Sequence, residues 1–310
     1  MTRPRCVVFA YSEVGVRCLK ALLSAQAEVA LVVTHADDPA ENRWYGSVAE
    51  TAADYGLPAI WPAESSDAAL LERVRALAPD FILSFYYRHL IPDSLLGCAR
   101  RAALNMHGSL LPHYRGRAPV NWAVLHGETQ TGATLHHMVS RADAGDIVGQ
   151  QAVPILQDDD AREVFNKVVV AAEIVLCRAW PLLVAGTAPS LPQSIEAGSY
   201  FGRRRPEDGR IDWTRPARTV HDLVRAVAPP YPGAFTDLGG ERVWIHRARV
   251  LDRSGPAGRP ARLIGVGTRC LVECADGHDL QILAAATASG PMDLAAWATR
   301  LATSPLGLSA

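Results

Sequence analysis

The chain has 310 residues, 49% hydrophobic and 20% charged, an ordinary globular mixture with enough length for a sizeable core in one large domain or two smaller ones. A formal net charge of -1 gives no global attraction to nucleic acid or to an anionic membrane, so no nucleic-acid partner is expected. No stretch reads as the roughly 20 apolar residues that span a bilayer. The apolar run at residues 6–10 is too short for a signal-peptide core, and a cytoplasmic protein without membrane insertion is expected.

The six cysteines (Cys6, Cys18, Cys98, Cys177, Cys270 and Cys274) are scattered and require no disulfide framework. Cys270 and Cys274 lack a second Cys or His pair at zinc-ligand spacing, so no metal site is expected.

In chain order, residues 6–11 form a short apolar strand and residues 14–23 carry apolar side chains at helical spacing. Residues 29–34 read as a second buried strand, 47–55 as a helix, 57–61 as a short strand, 67–77 as a helix and 80–85 as a strand. Such alternation predicts an α/β domain on a mainly parallel sheet, whose ligands bind beyond the carboxyl ends of the strands. The turn after the first strand, Ala10-Tyr11-Ser12-Glu13-Val14-Gly15, lacks GxGxxG, and the chain has no Walker A lysine motif. Both absences argue against nicotinamide and ATP chemistry.

The next apolar run ends at Leu104-Asn105-Met106-His107, then turns through Gly108-Ser109-Leu110-Leu111-Pro112 and Tyr114-Arg115-Gly116-Arg117. In an extended strand Asn105 and His107 project from one face. An amide donor beside a base that titrates near neutrality suits acyl transfer through a tetrahedral oxyanion, although two polar residues capping a turn would look the same. The aromatics Tyr86 and Tyr87, with Arg88, end the preceding strand; they can wall a flat heterocycle or fill core.

Residues 119–125 read as a helix opening on proline, 131–139 as a strand, 140–146 as a polar loop and 147–155 as a strand. Residues 160–184 form a long helix that Pro181 should disturb near its end. In the loop, Asp143 beside Gly145 either forms the turn or orients a catalytic histidine and stabilises its imidazolium form. His136 and His137 are adjacent in a strand, so they face opposite ways and cannot both line one pocket. Arg115 and Arg117 can hold anions or face water, as can the basic run Arg203-Arg204-Arg205.

Residues 186–199, with Pro189 and Pro192, suit a surface linker. Beyond it, strand candidates at 233–235, 242–250, 262–266, 270–274 and 280–283 predict a small β-rich, barrel-like domain. The expected organisation is a catalytic domain over 1–186, a linker over 187–200 and a C-terminal domain over 201–310.

The string Asn105-x-His107-Gly108-Ser109-Leu110-Leu111-Pro112-x-Tyr114-Arg115-Gly116, followed by Arg141-Ala142-Asp143-Ala144-Gly145, resembles the signature of the 10-formyltetrahydrofolate-dependent formyltransferases. That family includes methionyl-tRNA, glycinamide ribonucleotide and nucleotide-sugar formyltransferases. Val8-Phe9-Ala10-Tyr11, Tyr45-Gly46-Ser47-Val48-Ala49, the run from Ser84 to Ile91 and Phe201-Gly202-Arg203-Arg204 are most similar to its branch acting on UDP-4-amino-4-deoxy-L-arabinose in lipid A modification and polymyxin resistance. The similarity covers nearly the whole chain and weakens after about Val250.

The resemblance implies a Rossmann-like α/β domain and a smaller barrel-like one, with Asn105, His107 and Asp143 as catalytic residues. It implies 10-formyltetrahydrofolate as co-substrate, contacted by Arg117, Val139, Ser140, Arg141 and Ala142, with no metal and a UDP-linked amino sugar as acceptor. Tyr86 and Tyr87, read above as walls for a flat heterocycle, are expected to join the folate contacts. In that branch the formyltransferase continues into an NAD-dependent decarboxylase domain. This sequence stops at Ala310, so decarboxylation is expected on a separate protein. A tRNA acceptor is disfavoured by the loop Ala36-Asp37-Asp38-Pro39-Ala40-Glu41-Asn42-Arg43, whose acids would repel phosphates.

Overall fold

The computed structural model describes residues 3–37 and 42–308, and residues 38–41 of the acidic loop lie outside the described residues. The chain divides into two compact units. The first is Met1–Pro119, Gln130–Pro154 and Phe165–Gly202; the second is Val120–Thr129, Ile155–Val164 and Arg203–Ala310.

The first half of the chain runs β1 (Arg5–Ala10), α1 (Ser12–Ser24), β2 (Glu28–Val33), α2 (Val48–Asp54), β3 (Ala59–Ile60), α3 (Ala68–Leu77), β4 (Phe81–Phe85), α4 (Asp93–Leu96) and β5 (Ala102–His107). It continues through β6 (Arg115–Gly116), α5 (Pro119–Leu125), β7 (Gln130–His137), β8 (Ile147–Pro154), α6 (Ala161–Ala185) and β9 (Tyr200–Phe201). Local chemistry sets several of these ends. Ser47 Oγ accepts the Glu50 N–H at 3.2 Å to start α2, and Asp67 Oδ1 accepts the Ala69 N–H at 2.8 Å to start α3.

The seven-stranded sheet has the order β3-β2-β1-β4-β5-β7-β8. Its first five strands are parallel, and β7 and β8 each run antiparallel to the strand before them in that order. β4 is buried along its whole length, so it reads as an unbroken apolar run. On one side of the sheet Val7, Phe9, Leu31, Val33 and Ile82 pack with Leu70 and Val74 of α3 and Leu95 of α4. β5 therefore lies inside the sheet with its carboxyl end at His107.

One expectation needs correction. The α6 helix, read over 160–184, continues through Pro181 to Ala185. It is also long and apolar enough to cross a membrane by length and composition, which the sequence reading did not recognise; half of its most apolar window is buried. Its Trp180 packs on Phe81 of β4 at 5.2 Å between ring centroids, as expected of a helix covering a sheet.

The segment read as a linker is laid onto the first unit. Leu191 bridges Ile147, and the Arg115 N–H donates to the Ser199 carbonyl at 3.0 Å, where β6 and β9 pair in parallel.

The second unit contains α7 (Ala217–Ala226), β10 (Ala234–Leu238), β11 (Glu241–Ser254), β12 (Arg262–Val266), β13 (Arg269–Glu273), β14 (His278–Thr287), β15 (Gly290–Pro291), α8 (Leu294–Thr303) and β16 (Leu306–Gly307). The strands make an antiparallel sheet in the order β10-β11-β14-β13-β12-β16, with β15 paired to β14, curved as a half-barrel. Helix α7 packs on β11 and α8 on β12 and β13. Asp293 opens α8 by accepting the N–H groups of Ala295 and Ala296. Within this unit Arg225 Nε donates to Asp222 Oδ1 at 2.8 Å, both side chains being buried.

Candidate active site

Asn105 and His107 stand at the carboxyl end of β5, and the antiparallel neighbour β7 places His136 opposite Asn105. The chain then turns. Thr134 Oγ1 donates to the Ser109 carbonyl at 2.6 Å, and Ser109 Oγ donates to the His113 carbonyl at 2.6 Å. This returns the backbone so that the Tyr114 carbonyl accepts from His107 Nε2 at 2.8 Å. A carbonyl oxygen only accepts, so Nε2 carries a proton and Nδ1 is the nitrogen left for exchange.

That Nδ1 lies 3.5 Å from Asp143 Oδ1. The same oxygen is 3.5 Å from His136 Nε2 and 3.4 Å from Asn105 Nδ2, while Asp143 Oδ2 accepts the Gly116 N–H at 2.9 Å. Burial raises the Asp143 pKa, but the charges of His107 and His136 and the hydrogen bonds from His136 and Gly116 outweigh it. The carboxyl is held well below its usual range.

His136 is a site residue that the sequence reading set aside. It is buried, and its Nδ1 donates to the His137 carbonyl at 2.8 Å. In the neutral tautomer this leaves Nε2 an acceptor, 3.2 Å from Asn105 Nδ2, whereas in the protonated ring the same nitrogen donates to Asp143. The contact turns the amide so that its N–H groups, rather than its oxygen, face the cluster. Considering His136 and His137 only along their own strand missed this pairing across the ladder.

The remaining residues fall in different places. Tyr86 has φ +58° and its hydroxyl lies over Gly108, where a Cβ would come within 1.7 Å of Oη. A Cβ there would have to push the tyrosine ring aside. Tyr87 points away from this cluster: it stacks on His35 at 4.3 Å and meets Phe9 edge-on at 5.3 Å. His35 accepts the Arg88 N–H at 3.1 Å, and burial, with the charges of His89 and Arg88, pushes it down to about 4.

Val139, Ser140 and Arg141 are exposed in the loop before Asp143, and Ala142 is half-buried. Arg117 is exposed, with its N–H on the Phe201 carbonyl at 2.9 Å, whereas Arg115 is buried. Arg204 lies over Trp122 at 4.9 Å in the second unit. Among the described residues no group of three or more His, Cys, Asp or Glu side chains is arranged to hold a metal ion.

At one sheet edge the structure gathers an amide donor, an imidazole with one ring nitrogen uncommitted and a largely buried carboxylate, groups able to serve acyl transfer. Residues 5–180 match the family model described as formyl transferase, and residues 204–301 match the formyl transferase C-terminal domain. The chain belongs to the formyl transferase family.

Solved structures share the fold of this formyl transferase. An N-formyltransferase from Helicobacter canadensis, solved with folinic acid and dTDP-3-aminofucose, is 17% identical with a TM-score of 0.71, covering 91% of this chain and 99% of that one. A sugar N-formyltransferase from a Shewanella species is 20% identical with a TM-score of 0.63, covering 78% and 96%. HypX from Aquifex aeolicus, solved with tetrahydrofolic acid, is 19% identical with a TM-score of 0.62, covering 93% of this chain and 45% of HypX.

Proposed function

We propose that the chain transfers the formyl group of 10-formyltetrahydrofolate to the primary amine of a nucleotide-linked amino sugar, with UDP-4-amino-4-deoxy-L-arabinose as the acceptor. The observation that carries this reading is the meeting of Asn105, His107 and Asp143 at the end of β5 in a member of this family. The folate and dTDP-aminosugar held by the Helicobacter relative support the two substrate classes. The resemblance of the segments up to about Val250 to the UDP-arabinose branch supports the particular sugar. Half-buried Asp37 pairs with Arg43 by charge, which leaves little free positive charge beside that loop for a tRNA backbone.

The donor supplies an activated formyl carbon on N10. Asn105, oriented by His136, directs an N–H at the oxygen on which negative charge develops as the amine adds to that carbon. His107 keeps Nε2–H on the Tyr114 carbonyl and uses Nδ1 to take the amine proton. It returns that proton to N10 as the bond between N10 and the formyl carbon breaks, so the new C–N bond is balanced by tetrahydrofolate release. Asp143 holds the ring and stabilises its charged form. Tyr86, Arg117 and the loop through Val139, Ser140, Arg141 and Ala142 bind the folate beside this cluster.

The test is a panel of UDP- and dTDP-linked amino sugars with 10-formyltetrahydrofolate, read by the mass of the N-formyl product. Turnover of UDP-4-amino-4-deoxy-L-arabinose above the others is expected. Turnover of a different member alone would replace the acceptor, and folate binding without turnover of any amine would overturn the catalytic reading.

A further inference from the structure

The stretch between α6 and β9 has no part in the chemistry above, yet it supplies one side chain to the backbone that carries Asp143. Gln193 Nε2 donates to the carbonyl oxygens of Asp143 at 3.1 Å and Gly145 at 2.5 Å. Both partners only accept, so the two bonds fix which end of the amide faces the loop. Its Oε1 is buried and takes no hydrogen bond from the described residues, so Gln193 is tied through its donors alone.

The backbone held in this way is a demanding one. Asp143 has φ +53°, the left-handed region, which a residue with a Cβ occupies only when its surroundings hold it there. Two residues on, a Cβ at Gly145 would lie 2.0 Å from the His137 carbonyl. The loop is therefore pressed against β7 on one side and fastened by Gln193 on the other. The Leu191 backbone bridge to Ile147 brings Gln193 to this place.

We propose that Gln193 is a positioning residue: its grip on the Asp143 and Gly145 carbonyls fixes the left-handed turn that aims the Asp143 carboxylate between His107 and His136. The proposal rests on the catalytic reading of Asp143. Without the two donors the turn relaxes, the carboxylate drifts from His107 Nδ1, and the ring loses the partner of its charged form. Displacement of a catalytic group by about 1 Å costs up to about 100-fold in rate.

The experiment compares Gln193→Leu, which keeps the bulk and removes both donors, Gln193→Glu, which sets a carboxylate against two carbonyls, and Ser190→Ala as a control on the same segment. Expected for Gln193→Leu is a fall in kcat of about 10- to 100-fold with KM for both substrates within about threefold. Gln193→Glu should fall at least as far, and Ser190→Ala should stay within about twofold of wild type.

The second readout is the ¹⁵N spectrum of the His107 ring nitrogens, which needs no substrate. The Nδ1 signal should move in both Gln193 variants and stay in Ser190→Ala. Unchanged kcat in Gln193→Leu, or a loss that only follows the fraction of folded protein with an unchanged ring spectrum, would overturn the proposal. Should the wild type formylate no amine, the proposed function falls, and the ring spectrum still decides whether Gln193 holds Asp143.

Discussion

Asp143 Oδ1 stands 3.5 Å from His107 Nδ1, on the open side of a ring whose Nε2 is already committed to the Tyr114 carbonyl. The carboxylate thus faces the one ring nitrogen free to exchange a proton. Asp143→Asn preserves the shape and removes the charge that stabilises the imidazolium. A fall in kcat of about 100- to 10,000-fold is expected, with a native circular dichroism spectrum. Steady-state rates within a few fold of wild type would remove Asp143 from the mechanism.

The same carboxylate predicts a pH dependence of stability. Facing it are His107, His136, Asn105 and the Gly116 N–H, and its folded-state pKa is lowered despite burial. A depressed carboxylate stabilises the fold above its unfolded value of about 4, and the stabilisation is lost as pH falls from there towards the folded value. The Tm gap between wild type and Asp143→Asn should be steady at neutral pH and should narrow as melts are taken below about pH 4. A gap that stays constant into that acid range contradicts the lowered pKa.

Asn105 and His136 are coupled through one contact at 3.2 Å. Asn105→Ala removes the oxyanion donor and should cost about 100- to 1000-fold in kcat. His136→Leu leaves the donor in place but frees the amide to turn over, so a smaller loss of about tenfold or more is expected, with KM little changed. His136→Gln, which offers an acceptor again, should recover part of it. Equal rates in wild type and His136→Leu would show that the amide needs no partner to hold its orientation.

The parts of this site legible in the sequence are those written in local spacing. Asn105 and His107 share a face by strand alternation at a sheet edge, while the loop around Asp143 left a turn-forming and a histidine-orienting role open until the family resemblance chose between them. His136 depends on the register of β7 against β5, a long-range pairing that no local pattern encodes. Tyr86 and Tyr87 were grouped by composition, although neighbouring residues leaving a strand diverge, and only Tyr86 reaches Gly108. The strands of the half-barrel were legible from short apolar runs. Helices α7 and α8 escaped notice because each exposes one face and begins after a polar turn. Gln193 sat in a proline-rich stretch where composition suggests only a connection.

The contact of Tyr86 with Gly108 is tight enough to test by a double-mutant cycle. In Gly108→Ala the new methyl group would sit 1.7 Å from Tyr86 Oη and 2.9 Å from Cζ. Overpacking of this kind costs about 1–3 kcal/mol. Tyr86→Phe removes the nearer atom and should restore part of the loss in the double variant. Urea unfolding of the four proteins measures the coupling, and strictly additive effects would mean that the ring moves aside freely.

In the second unit the prediction concerns stability alone. Arg225 and Asp222 are paired at 2.8 Å with side-chain exposures of 4% and 7%, and Arg225 Nη1 also donates to the Asp159 carbonyl at 3.2 Å. Removing one partner of a buried pair leaves the other charge desolvated, at a typical cost of about 3–5 kcal/mol. Arg225→Met does this to Asp222, but Arg218 Nε lies 3.4 Å from the same carboxylate oxygen and can still satisfy it in part. The loss should therefore fall at the lower end of that range. Arg225→Met combined with Asp222→Leu leaves no buried charge behind and should be more stable than Arg225→Met alone. Amide exchange along α7 is the measurement, because it reads this helix without requiring the chain to unfold in one step. Equal protection in wild type and Arg225→Met would show that Arg218 replaces the lost cation completely.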